Sequence, residues 1–207
     1  MSNAQRTPVV PLEAGAGPDN PPCPACGEPL FGWLGLQDRL GGPVSRCESC
    51  GLGVVGASGG PEEALHELDR LGRLPRIANR SSFATSLGSA GWAGLESGAH
   101  YLFTVEAVRR LVARRDQVVK SSRWAPAAGL TATWQTMLNS VTFGHNVALG
   151  ALGRGQAVNA PRRWQRRIDI LASVVLAIPA LAVALPVELA GGVLGRGAAI
   201  SLRFELL

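Results

Sequence analysis

The chain is 207 residues long, with 20 Lys+Arg against 15 Asp+Glu, 26 Gly, 14 Pro and 4 Cys. This length holds one medium domain, or a small module beside a reduced second one. At 46% hydrophobic and 17% charged it is too apolar for a wholly disordered chain, and four cysteines are too few for a dense disulfide scaffold.

Charge is unevenly spread. Residues 1–75 hold 5 basic and 9 acidic side chains, a net −4; residues 76–167 hold 13 and 3, a net +10; residues 168–207 hold 2 and 3, a net −1. A basic middle before a long apolar tail points to an anionic surface as partner, although a solvated helical face has the same composition.

Residues 1–22 carry Pro8, Pro11, Pro18, Pro21 and Pro22 and read as a flexible leader. Met1 to Asn20 has no apolar core, so no secretory signal is expected and the reading starts in the cytoplasm. Residues 23–55 contain every cysteine. A helix is expected over Pro61–Leu71, with Pro61 at its first position, Glu62 and Glu63 at its positive end and Gly72 at its exit; Leu65, Leu68 and Leu71 form its apolar stripe. Residues 72–103 are rich in Gly and Ser. Thr104 is a good N-cap for a helix running to about Arg115, with Val105, Val108, Leu111 and Val112 on one face. Gln117–Ser121 reads as a strand, and a helical stretch is expected from about Thr133 to Leu152, bent or broken near Gly144.

The last segment is the most unusual. After Arg162, Arg163, Arg166 and Arg167, the run Ile170–Val187 has 18 residues without a charge. That length is marginal for a bilayer span, and Pro179, Pro186 and Glu188 are expected to interrupt or end it. A span, an interfacial or re-entrant hairpin, and a buried core segment all remain open, with the arginines holding the N-terminal end on the cytoplasmic side. Ile200–Phe204 alternates like a closing strand.

The cysteines carry the clearest chemistry. Cys23-Pro-Ala-Cys26 and Cys47-Glu-Ser-Cys50 are two C-x2-C pairs twenty residues apart. Each can form a knuckle that offers two thiolates, and together they complete a tetrahedron around zinc. Gly27 and Gly51 follow the knuckles, where the turn favours positive φ. Four thiolates leave no position for water, so the predicted cofactor is a structural zinc and not a catalytic one. Redox pairs or disulfides are the competing reading. His66, His100 and His145 lack metal-ligand spacing, and no catalytic triad, carboxylate pair or Walker loop is present in the sequence. The loop Glu13-Ala14-Gly15-Ala16-Gly17 looks like an adenosyl-binding turn but lies between prolines, with neither strand nor helix to hold it.

The ribbon ending Cys47-Glu-Ser-Cys50-Gly51-Leu52 resembles the one that opens many bacterial class I SAM-dependent methyltransferases. Pro61-Glu62-Glu63-Ala64-Leu65 is similar to that family's post-ribbon helix. Ile77-Ala78-Asn79-Arg80-Ser81-Ser82 resembles the end of its fifth strand, with Ala78 where Pro is usual. Trp92 to His100 and then Tyr101-Leu102-Phe103-Thr104 resemble its loop before a helix, and Trp134-Gln135-Thr136-Met137-Leu138-Asn139 also fits. The resemblance covers residues 23–72 and 74–207. Between Leu71 and Leu74 the family would carry roughly a hundred residues with its first four strands and the SAM loop.

The resemblance therefore implies an α+β remnant: a zinc ribbon at 23–55, then a reduced region at 61–207 with several helices, an apolar helical segment at 168–195 and a small sheet. Its strands, corresponding to the parent's fifth, seventh and sixth, would be Leu74–Ala78, Ala199–Glu205 and Gln117–Ser121. Without the missing core there is no cofactor crevice, so no catalytic or SAM-binding residue is assigned and SAM is not expected. The strand near Arg76 would leave an edge to be covered by the chain itself, a second copy or another protein.

The leading expectation is a catalytically degenerate, methyltransferase-like binding or accessory subunit with metal ligands Cys23, Cys26, Cys47 and Cys50, in the cytoplasm or at the inner face of the membrane. The expected partners are a protein or second copy at the sheet edge and an anionic membrane surface. Two alternatives compete. One is a methyltransferase completed in trans, with His100 and Tyr101 bordering the acceptor. The other, a zinc-ribbon nucleic-acid binder, ranks last because residues 23–50 hold only Arg39 and Arg46 against Glu28, Asp38 and Glu48.

Overall fold

The structure, a computed structural model, describes residues 20–34, 43–56, 59–72, 75–88, 91–95, 99–153 and 162–206. The glycine loop at 12–17 and most of the leader lie outside the described residues.

The chain is α+β with two small antiparallel sheets. The first contains β1 (Leu30–Leu34), β2 (Val44–Cys47), β3 (Gly53–Val55) and β5 (Tyr101–Leu102) in that spatial order. The second has the order β4 (Arg76–Ala78), β7 (Ala199–Leu206), β6 (Gln117–Trp124). These are the three strands expected from sequence, in the expected order, with β6 running on to Trp124; Leu74 lies outside the described residues. Strand β7 is antiparallel to both neighbours, pairing Ile77 with Ile200 and Trp124 with Ile200.

Helices α1 (Pro61–Arg70) and α3 (Val105–Ala113) form where their signals place them. Thr104 caps α3, its side-chain oxygen accepting from the Ala107 N–H at 3.1 Å. Gly72 leaves α1 at φ +85°. The apolar stripe of α1 is Ala64, Leu65 and Leu68; Leu71 falls just past the last turn and is exposed. The core joins these helices to the ribbon. Leu30, Leu52 and Val54 pack in one cluster with Leu65, Leu68, Val108, Leu111, Ile200 and Leu202. A short helix, α2 (Phe83–Gly88), and strand β5 lie in the Gly/Ser-rich stretch that gave no periodic signal.

Two expectations are corrected. The helical stretch expected from Thr133 breaks around Gly144 as anticipated, into α4 (Pro126–Asn139) and α5 (Val147–Ala151), but its start is misplaced. It starts earlier because Pro126 suits the first turn, where its missing N–H has no partner to lose. The prolines of the apolar segment do not interrupt it, nor does it turn back as a hairpin: α6 runs continuously over Arg163–Val193, 31 residues with Pro179 and Pro186 inside. Both prolines are exposed, as are Val175 and Ala182, whose carbonyls lose their partners. The lost bonds thus fall on the outer side of the helix, where bending and solvation accommodate them best.

Helix α6 is built inside out. The residues it buries are Asp169, Ser173, Ala184, Glu188 and Gly191, while Leu171, Val175, Ile178, Leu185 and Leu189 are exposed on the opposite side. It packs on α4, with the α4 residue Trp134 donating from Nε1 to the Ala177 carbonyl at 2.9 Å. Both of its carboxylates are held by neutral donors. Asp169 accepts from the backbone N–H groups of Phe143 and Gly144, each at 2.9 Å. Glu188 accepts from Trp124 Nε1 at 2.6 Å, Thr133 Oγ1 at 2.8 Å and the Ala198 N–H at 3.0 Å. Gly129 makes room for it, since a Cβ there would fall on Glu188 Oε1.

Replacing Glu188 by Ala leaves two buried donors, Thr133 Oγ1 and the Ala198 N–H, and the half-buried Trp124 Nε1 without an acceptor. Each such orphan costs about 1–3 kcal/mol, so E188A is expected to lose about 3 kcal/mol or more of stability. Thermal unfolding followed by circular dichroism measures it. A Tm within a degree or so of wild type would show that the carboxylate does not pin α6.

Candidate metal centre

The two knuckles are tight backbone turns. Gly27 N–H donates to the Cys23 carbonyl at 2.8 Å and Gly51 N–H to the Cys47 carbonyl at 3.0 Å, with φ +81° and +76° at the two glycines, as the sequence requires. Pairing of β1 with β2 sets Leu30 opposite Cys47 and so brings the knuckles together.

All four ligand sulfurs lie within 4.8 Å of one another. Cys23 and Cys50 Sγ are 3.6 Å apart, Cys26 and Cys47 3.4 Å, Cys26 and Cys50 3.7 Å. A tetrahedral ion with metal–sulfur bonds of about 2.3 Å needs sulfur–sulfur edges of about 3.8 Å, so the cluster is positioned to bind a metal ion. Backbone N–H groups stabilise the thiolates: those of Ala25 and Cys26 at Cys23, of Glu28 at Cys26 and of Leu52 at Cys50. The crowding divides the thiols. The hydrogen bond from Cys50 draws Cys23 down to about 5, and the same contact pushes Cys50 up; burial raises Cys26.

The second knuckle is fastened to the C-terminal part. Thr104 Oγ1 donates to the Cys50 carbonyl at 2.6 Å while capping α3. Arg80, in the turn after β4, donates from Nη1 to the Gly51 carbonyl at 2.6 Å and lies 4.2 Å from the Trp33 ring centroid. Burial, and then the neighbouring Arg46, lower the Arg80 guanidinium to about 10. Arg110 reaches Ser49 Oγ at 3.2 Å. Gly51 fits nothing larger, because a Cβ would meet Thr104 Cγ2 at 2.9 Å. Beside this latch opens a cavity of 620 Å³ whose walls include Arg46, Arg80, Arg109, Asn79 and Thr104.

The turn after β4 is itself well fixed. Asn79 donates from Nδ2 to the Gly197 carbonyl at 2.9 Å, and its Oδ1 accepts from the Ser81 N–H at 3.1 Å. The edge of β4 faces Tyr101–Phe103 across a cavity of 150 Å³, with the Arg80 N–H donating to the Phe103 carbonyl.

His66 is exposed and His145 buried. His100 is exposed, its N–H donating to Glu67 at 3.2 Å. Tyr101 is buried, and burial with Glu63 and Glu67 nearby raises its phenol to about 12. The cysteines were legible as a spacing motif; Arg80 and Thr104 as latch residues were not, because each acts on a backbone carbonyl, which has no sequence signature. Neither a family model, nor a curated protein, nor a solved structure matches the chain.

Cys47→Ser is expected to abolish metal binding, read as metal per chain by elemental analysis. Thr104→Val should leave that stoichiometry intact and lower stability to denaturant by about 2 kcal/mol, through loss of a cap and of the bond to the Cys50 carbonyl. Thr104→Ser should restore it.

Proposed function

We propose that this protein is a methyltransferase-like zinc-ribbon protein that has lost catalysis and serves as a binding or accessory subunit. The observation that carries the reading is the arrangement β4-β7-β6, with β7 antiparallel to both neighbours, behind a four-cysteine ribbon. It is the arrangement expected if the parent's fifth, seventh and sixth strands persist without the first four. The ion is zinc, because four thiolates in a tetrahedron suit it and leave no open coordination position. Its role is to hold the ribbon, and through Thr104 and Arg80 the C-terminal part.

An accessory role accounts for the site's chemistry. The phenol of Tyr101 is packed in the core and its backbone belongs to β5, so it works as structure rather than as an acceptor-side residue. The unit formed by ribbon, α1 and α3 around one shared core offers a surface to a partner protein, with the cavity beside the latch as its concave part.

Calorimetric titration of S-adenosylhomocysteine into zinc-loaded protein tests the reading. The expected result is no binding heat, with one zinc per chain by metal analysis. One-to-one binding would restore a cofactor site and overturn the accessory assignment.

A further inference from the structure

Helix α6 meets the criterion of length and composition for crossing a membrane, yet only 11% of its most apolar stretch is buried. Its surroundings decide how it would meet one. Asp169 and Glu188 are nineteen residues apart, about 28 Å along a helix axis, and both are buried and pinned to the body of the protein. Helices α2, α4 and α5 all contact α6 on that side. A helix flanked by protein along its length cannot thread a bilayer alone, because two carboxylates and the polar residues of α4 would have to follow it into hydrocarbon. Only its outer side is free.

That outer side has the pattern of an interfacial helix. From Ile168 to Val193 the only charged residues are Asp169 and Glu188, and both turn inward. Ile178 is 80% exposed at the middle of the face. At its N-terminal end Trp164 and Phe143 stack edge to face, 6.2 Å between centroids, and both are exposed. Beside them Arg162, Arg163, Arg166 and Arg167 are exposed, and among the described residues none is in salt-bridge range of a carboxylate. An apolar stripe, an aromatic pair and four unpaired arginines match an anionic lipid surface: hydrocarbon for the stripe, the headgroup layer for the indole, lipid phosphates for the guanidinium groups. A partner helix would account for the stripe but leave four like charges uncompensated at one end.

We infer that α6 lies in the plane of an anionic bilayer, with its Leu171–Ile178–Leu185 side in one leaflet and Arg162, Arg163, Arg166 and Arg167 on the headgroups. This docking does not depend on the methyltransferase resemblance and is tested separately from it. The full-length, zinc-loaded protein is sedimented with vesicles of phosphatidylcholine alone or with added phosphatidylglycerol.

The wild type is expected to bind the anionic vesicles and to be released by salt. Ile178→Asp should weaken binding about tenfold or more by placing a charge in the stripe. The double variant Arg166→Gln/Arg167→Gln should weaken binding to anionic vesicles about twenty-five-fold, each arginine contributing a factor of about five. Both variants are checked for folding by zinc content and circular dichroism. Nitroxide labels just below the headgroups should quench fluorescence more than labels at the bilayer centre, and Trp164→Phe should remove the difference. Three results would overturn the inference: unchanged binding by Ile178→Asp, equal binding to neutral and anionic vesicles, or a stable dimer that ignores vesicles and is dissociated by Ile178→Asp. The last would show that a second copy covers the face.

Discussion

Two backbone carbonyls, those of Cys50 and Gly51, are where the two halves of this protein meet. Thr104 Oγ1 and Arg80 Nη1 donate to them at 2.6 Å each, one from the cap of α3 and the other from the turn after β4. A structural zinc site contributes roughly 10–16 kcal/mol in small peptides at neutral pH, against about 0.5–1.5 kcal/mol for a neutral hydrogen bond and about 1.5–3 kcal/mol for one from a charged group. An ion held by the four cysteines would therefore set the shape of the knuckle, and the latch would pass that shape on. Strand β5 reinforces it by pairing Tyr101 with Val54, so that a segment from the C-terminal part completes the ribbon's sheet. The resulting core is continuous from Cys23 to Leu202.

The other half of the architecture follows from two carboxylates. A helix as apolar as α6 has no strong preference for which side it turns to the body, since apolar residues occur all round it. Asp169 and Glu188 remove that freedom. Each must find donors, and the donors are fixed on and around α4: Phe143 and Gly144 in the turn after it for Asp169, and Thr133 at its middle, Trp124 just before it and Ala198 before β7 for Glu188. Once both are satisfied, the opposite side can only face outward. The glycines at 129 and 197 belong to the same constraint, for a Cβ at 129 would strike Glu188 and one at 197 would strike Trp124.

Much of this was legible in the sequence where a local rule operates. The cysteine spacing, the positive-φ glycines after each knuckle, the Thr104 cap, and the strands near 117 and 200 all follow from short-range chemistry, whereas the strand near 76 was expected only from the resemblance. The α4 boundary was misplaced because Leu130 and its neighbours give a weak period, and the first-turn role open to Pro126 has no periodic signal beside it. The continuity of α6 was missed for a related reason. A proline's effect depends on which side of the helix it occupies, and that side is set by Asp169 and Glu188 through tertiary bonds. Glu188, read from sequence as the end of an apolar run, is the residue that anchors it. Arg80 stood inside a recognised motif, but its partner is a carbonyl twenty-nine positions away.

The central claim is that the metal knuckle and the C-terminal part form one cooperative unit joined through the latch. Hydrogen exchange measured amide by amide, with the metal bound and after chelation, tests it most directly. The account predicts that chelation deprotects α3 and the β4-β7-β6 sheet together with the ribbon. Loss of protection confined to residues 23–55, with α3 and β7 as slow as before, would contradict it.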